Sequence, residues 1–179
     1  LLAAHRGLPL VSEQFEDVPH WSAFYDDPAR FALEKDLGFL LSHADAIRSA
    51  KRAAVCDFAM VQTVAYSRIV GDRADTGAVA AVYERMAARL GHPTMMVRLR
   101  CDPRVQLARI AARGRAPEAG VTADYLERLD AAIEVELGRL PAEVRVVAFD
   151  TSTQPAAALL TLPDVAEVRL TPDTPSHRP

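Results

Sequence analysis

Cysteine is nearly absent from this chain: its 179 residues hold two, Cys56 and Cys101. They stand far apart and follow no redox or metal spacing, so reduced, half-buried thiols are expected. The five histidines, His5, His20, His43, His92 and His177, form no HxxxH or CxxC-like cluster, which argues against a structural metal. No apolar run approaches the roughly 18 residues that a membrane span needs. The start lacks the charged-then-apolar layout of a signal peptide, and the cytoplasm is the default compartment. An excess of one charge is missing too. With 21 Lys and Arg against 24 Asp and Glu, the formal net charge is -3. That balance speaks against nucleic acid or an anionic membrane as the main partner. It leaves room for a small phosphorylated ligand held by a local basic cluster. No internal repeat is present.

What is there suits one globular domain. Hydrophobic residues make up 50% and charged residues 25%, an ordinary balance for a soluble fold with a proper core. Residue 1 is Leu, and Leu1 to Gly7 reads as the tail of a helix with a glycine C-cap, so the chain is expected to begin within an element. A short buried strand over 8–12 leads to Glu13, followed by an irregular aromatic stretch (Phe15, Trp21, Phe24, Tyr25). Pro28 suits the first turn of a long helix, whose apolar residues Leu33, Leu37, Leu40, Leu41, Ala44 and Ile47 recur at helical spacing.

Residues 53–56 read as a second strand ending at Asp57, with helices over 60–70 and about 75–90 after it. A strand over 95–99 precedes a helix capped by Asp102, with Pro103 at its first position. Thr122 caps the last long helix, whose apolar set runs from Tyr125 to Leu140. A strand over 144–149 closes the domain at about residue 150. Beyond it lie a weak helix (155–162), a short strand (165–170) and a Pro-rich tail expected to be partly mobile. Strands alternating with helices imply a parallel sheet covered on both faces. Ligands of such sheets sit beyond the carboxyl ends of the strands, where Glu13 and Asp57 fall.

The densest chemistry lies in Arg109-Ile110-Ala111-Ala112-Arg113-Gly114-Arg115-Ala116-Pro117-Glu118. Three arginines at a helix end, with a glycine and an acid behind them, match the charge of a transferring phosphoryl group, which guanidinium forks grip well. A solvated basic helix end, favoured by the dipole, is the plainer explanation.

This segment, with Gly120, Thr122 and Tyr125-Leu126 behind it, resembles the lid of the deoxynucleoside kinase family, RxxxRGRxxE. Glu13 to Pro19, Phe24 to Pro28 and Phe39 to Ser42 are similar to the family's substrate-side segment, and order and spacing hold over roughly residues 2–150. The resemblance implies an α/β, P-loop kinase-like parallel sheet flanked by helices, with a lid over 109–121 and residues 151–179 as a C-terminal extension. It implies transfer of the ATP γ-phosphoryl group to a deoxynucleoside 5′-hydroxyl with Mg²⁺. Carried over by residue, Glu13 is the general base; otherwise it is a solvated acid at a strand end. Arg109, Arg113 and Arg115 are the lid arginines. Tyr25 and Glu118 tend the sugar 3′-hydroxyl, or are a core-edge tyrosine and a solvated acid. Asp57 helps organise Mg²⁺ or substrate, or is a buried turn acid. Phe39, Leu40 and Tyr66 are taken as core. The resemblance also allows a homodimer through helices, with the apolar face of the 28–50 helix available; core packing explains that face equally well.

The departures matter. The family opens with a strand and a GxxxxGK[ST] loop, and no such segment stands in this sequence. The chain is therefore expected to lack the first strand and phosphate-binding loop, and to be inactive alone. The family's base-reading Gln falls at Asp36 and its Arg partner at His43. The Asp-Lys pair past Asp57 reads Val61-Gln62, the Asn of the substrate segment is Val18, and the Asp before the third strand is Thr94. Two alternatives remain: a non-catalytic relative that binds a nucleoside or a partner protein, and a nucleoside monophosphate kinase. The acids and aromatics around Glu13 speak against the second.

Overall fold

A computed structural model describes residues 1–50, 53–115 and 118–162. Helix α1 (Leu2–Arg6) ends at Gly7 in the left-handed conformation, and strand β1 (Leu10–Val11) follows. After it come a 3₁₀ turn (Phe15–Asp17), α2 (Trp21–Asp26), α3 (Pro28–Ser49), β2 (Val55–Cys56), α4 (Met60–Val70) and α5 (Arg73–Leu90). Strand β3 (Met95–Arg100), α6 (Pro103–Arg113), α7 (Ala123–Leu137), β4 (Arg145–Asp150) and a 3₁₀ turn (Ala156–Thr161) complete the order. The aromatic stretch expected to be irregular thus carries a helical turn and a short helix. The expected strand over 165–170 and the Pro-rich tail lie outside the described residues.

The helix starts are set locally. Asp27 accepts from the Arg30 N–H, Asp72 from those of Ala74 and Asp75, Asp102 from those of Arg104 and Val105, and Thr122 from that of Tyr125. Each satisfies donors that a helix leaves orphaned in its first turn.

The strands pair as two parallel ribbons, not one continuous sheet. Leu10 is in register with Val55 and Val11 with Cys56. Met95 pairs with Arg145, and the register runs on to Arg100 with Asp150. Among the described residues no strand joins β2 to β3. This explains why strand β1, expected to be buried, is not: Leu10 is 55% exposed, as a strand in a two-stranded ribbon has little sheet to cover it.

The packed centre is helical instead. Leu40 of α3, Val64 of α4 and Val79 of α5 are fully buried and surrounded by Leu33, Leu37, Met60, Tyr83 and Met86. Helix α4 lies against α3, α5 and α7, and Arg68 of α4 pairs with the buried Glu136 of α7, which Arg139 also holds. Gly38 lets α3 approach the preceding corner: a Cβ there would stand 3.0 Å from Val18 Cγ1 and 3.4 Å from Pro19 Cδ. That close approach seats Val18 and Pro19 against α3 at Gly38. At the chain's far end, Arg6 donates to the Leu162 carbonyl at 2.6 Å, tying the start of the extension to α1.

Candidate active site

Glu13 leaves the carboxyl end of β1 and Asp57 that of β2, so the parallel pairing sets them side by side. The Glu13 N–H donates to Asp57 Oδ1 at 2.7 Å. One turn past the middle of α3, His43 presents its ring to the same point, with Nε2 2.8 Å from Glu13 Oε1. The His43 ring is stacked on Phe58 at 4.0 Å between centroids. With Nε2 donating to the carboxylate, His43 Nδ1 is buried and has no hydrogen-bond partner among the described residues. Glu13 keeps about a third of its side chain open to solvent. Its carboxylate is thus held by His43 and its backbone by Asp57, yet the carboxylate stays reachable.

Asp36 lies two turns earlier on α3, 2% exposed, and its Oδ1 is 2.8 Å from the ammonium of Lys35. Burial pushes the Asp36 carboxyl above the ordinary range, while Lys35 pulls it back. The Lys35 ammonium lies 4.2 Å from the ring centre of Phe24, 5.8 Å from Tyr66 and 6.0 Å from Phe39, distances at which a cation feels the ring faces. The resemblance placed His43 as the partner of position 36. Here Lys35 pairs with Asp36, and His43 turns to Glu13.

Tyr66 joins these groups. Its phenol is raised by burial and feels the charges of Glu13, Asp36 and Glu118, while Gln62 donates to its oxygen at 3.3 Å. Tyr125 is raised by burial as well, in reach of Tyr66, Tyr25 and Asp36. Tyr25 is raised by burial first and then by Glu118, with Arg115 and Arg113 acting the other way. Of these four residues, Tyr25 was expected in the site, Tyr125 was named only within the segment after the arginines, Tyr66 was taken as core, and Lys35 was not named. The sequence signal that could have found Lys35 is a lysine directly beside Asp36 on a largely apolar helix.

The lid arginines divide. Helix α6 ends at Gly114, whose φ of 66° suits glycine, and beyond it Arg115 turns back. Glu118 gathers two of them: Arg113 donates to Oε2 at 2.5 and 3.0 Å, and Arg115 lies 3.5 Å from Oε1. Arg115 also covers the Phe15 ring at 5.1 Å. Arg109 goes elsewhere. It donates to the Thr151 carbonyl at 2.7 Å and the Thr151 hydroxyl at 3.0 Å, anchoring α6 to the carboxyl end of β4. Helical spacing of four aligns Arg109 with Arg113, yet Arg109 bonds Thr151 while Arg113 bonds Glu118.

The structure therefore brings Glu13, Tyr25, Asp36, His43, Asp57, Arg113, Arg115 and Glu118 to one region and leaves Arg109 outside it. The larger described cavity, about 700 Å³, lies apart at the ends of β3 and β4, bordered by Cys101, Asp102, Asp150 and Ser152. Among the described residues no group of three His, Cys, Asp or Glu could hold a metal ion. Asp57 Oδ1 is already engaged by the Glu13 amide.

A strand-end carboxylate held by His43 and an acid, Glu118, that gathers Arg113 and Arg115 are thus two charged centres of the region. The deoxynucleoside kinase family profile matches residues 1–157. The chain belongs to that family. It is 22% identical over 147 residues to the deoxyguanosine kinase of Bacillus subtilis, covering 78% of this chain and 71% of the relative. Deoxyadenosine kinase from M. mycoides with bound dCTP superimposes with a TM-score of 0.74 at 15% identity, over 88% of this chain and 84% of that one. The same enzyme with bound dATP gives 0.69 at 17% identity, over 83% and 80%. At such identities the likeness establishes the α/β fold with its parallel strands.

Proposed function

We propose that the intact protein transfers the γ-phosphoryl group of ATP to the 5′-hydroxyl of a deoxynucleoside, as a cytoplasmic enzyme of nucleotide salvage. One observation carries the reading: the Glu13 carboxylate, partly open, is held at 2.8 Å by His43 while Asp57 fixes its backbone. A carboxylate so placed can take the 5′-hydroxyl proton as the oxygen attacks phosphorus, which is general base work. Arg113 and Arg115, on a lid hinged at Gly114, supply positive charge for the equatorial oxygens of the transferring group. Tyr25 and Glu118 bind the sugar 3′-hydroxyl; Asp36 and Lys35 face the base. Arg109 steadies the lid helix through Thr151. Mg²⁺ and the remaining ATP phosphates have no assigned ligand among the described residues. The test is turnover of a deoxynucleoside panel with ATP and Mg²⁺ by the intact protein and its Glu13→Gln variant. Phosphorylation lost in the variant supports the reading, and equal turnover by both removes Glu13 from it.

A second reading, nucleoside or partner binding without catalysis, draws on Val61 and Gln62. Val61 is buried and Gln62 bonds Tyr66, so neither offers the charge of the family's Asp-Lys pair. Nucleoside binding by calorimetry, with no turnover in the intact protein, would favour it. Phosphorylation of a nucleoside monophosphate but not a nucleoside would move the assignment to monophosphate kinases.

A further inference from the structure

Arg115 is held by two groups of different kinds. Its guanidinium lies 3.5 Å from Glu118 Oε1, longer than an ordinary hydrogen bond, while Arg113 takes Oε2 at closer range. It also lies 5.1 Å from the ring centre of Phe15, a distance at which an aromatic face attracts a cation. Phe15 opens the 3₁₀ turn two residues after Glu13, whose N–H is fixed by Asp57. Trp21 packs on the Phe15 ring at 5.0 Å, tilted by 54°, and Tyr25 meets Trp21 edge-on at 5.5 Å. Tyr25 in turn feels the charges of Glu118, Arg115 and Arg113. A row of three rings therefore meets the residues beyond α6 at both of its ends.

What holds Arg115 bears on what Glu13 can do. A guanidinium drawn onto the Glu13 carboxylate would occupy an oxygen that has to stay open to take a proton. An aromatic face attracts the cation and uses no carboxylate oxygen. Among the described residues Glu13 is bridged by His43, and Arg115 by Glu118 and the Phe15 ring. The positive charge thus waits on the segment that carries the carboxylate without closing on it. Leucine at position 15 would keep most of the apolar volume and offer the cation no face; tyrosine would keep the face.

We propose that Phe15 is a positioning residue for Arg115: its ring holds the guanidinium against the Glu13 segment and keeps the arginines beside Gly114 docked on the site. The proposal rests on the phosphoryl-transfer reading of Arg113 and Arg115 above, and adds the group that places one of them before a nucleotide binds.

The experiment is limited trypsin digestion of the full chain, with mass spectrometry of the fragments and a melting curve for each variant. Cleavage after Arg113 and Arg115 requires these residues to leave their contacts, and its rate follows the open population when reclosing is fast. Phe15→Leu should speed that cleavage about two- to fivefold, the scale of an exposed cation–π contact, with the other tryptic sites unchanged. Phe15→Tyr should match the unaltered protein. In an Arg115→Gln background, Phe15→Leu should add nothing to cleavage after Arg113, because the cation that the ring holds is gone. Phe15→Met takes the place of Phe15→Leu should the latter not fold. An unchanged rate in Phe15→Leu, a Phe15→Tyr variant that behaves like it, an effect that persists beside Arg115→Gln, or faster cleavage at every site would overturn the proposal. The digestion needs neither nucleoside nor ATP. Absent turnover in the intact protein would therefore sink the kinase reading and leave this result standing, whereas turnover with no effect of Phe15→Leu on cleavage would do the reverse.

Discussion

His43 and Glu13 are 30 residues apart in sequence, and the structure sets Nε2 of one 2.8 Å from Oε1 of the other. The imidazole is stacked on Phe58, so its direction is fixed by packing, and the carboxylate inherits that direction. Glu13→Gln keeps the shape and removes the base. Turnover should fall about 10²- to 10⁴-fold while nucleoside binding, measured directly, changes little.

Replacing His43 tests the orientation alone. His43→Phe should lower kcat about tenfold to a hundredfold, since small misplacements of a reacting group are costly, with KM moving much less. A parallel rise in KM and fall in melting temperature would mean that the ring serves packing only.

Glu118 pairs with both Arg113 and Arg115. Glu118→Gln should weaken nucleoside binding and raise KM. Its effect on stability should stay within about 1 kcal/mol, because the two arginines are roughly half exposed and such pairs are screened. Titration calorimetry and thermal melting separate the two effects.

The helical core makes a stability prediction independent of function. Leu40 is fully buried between Val64 and Val79, and Leu40→Ala should cost about 2–5 kcal/mol in denaturant unfolding. Arg68→Ala should cost less, about 1.5–3 kcal/mol, since Arg139 remains to pair with the buried Glu136.

Asp150 offers a test in pH. Its carboxylate accepts from the Ser152 N–H at 2.8 Å and the Thr153 hydroxyl at 3.0 Å, and these bonds hold it below the ordinary range. A lowered acid contributes stability that is present above its unfolded pKa and is lost as pH falls through the folded one. Asp150→Asn should therefore lower the melting temperature at neutral pH and flatten part of the acid limb, the two proteins converging at low pH.

Much of this protein was legible along the chain because the deciding interactions are local. Caps at Asp27, Asp102 and Thr122 act within three residues, so the starts of α3, α6 and α7 could be read from residue type and spacing. The start of α5 was read two residues late, since Asp72 caps it and Asp75 only lies in its first turn. Glu13 and Asp57 were recognised from their place at strand ends, and parallel pairing alone was enough to join them. Arg113, Gly114, Arg115 and Glu118 lie within six positions, and their contacts needed one turn of backbone.

The rest depended on packing between distant segments. Nothing in the order of residues told His43 to reach Glu13 and not Asp36, or Arg109 to leave the lid for Thr151 42 positions away. Lys35 drew no reading from the sequence, and only the packing of α2 and α4 brings Phe24 and Tyr66 to its ammonium. Residue types and spacing set the helices, the strand ends and the family; the partners of each charged side chain were chosen in three dimensions, because a hydrogen bond depends on where folded backbones meet and not on separation along the chain.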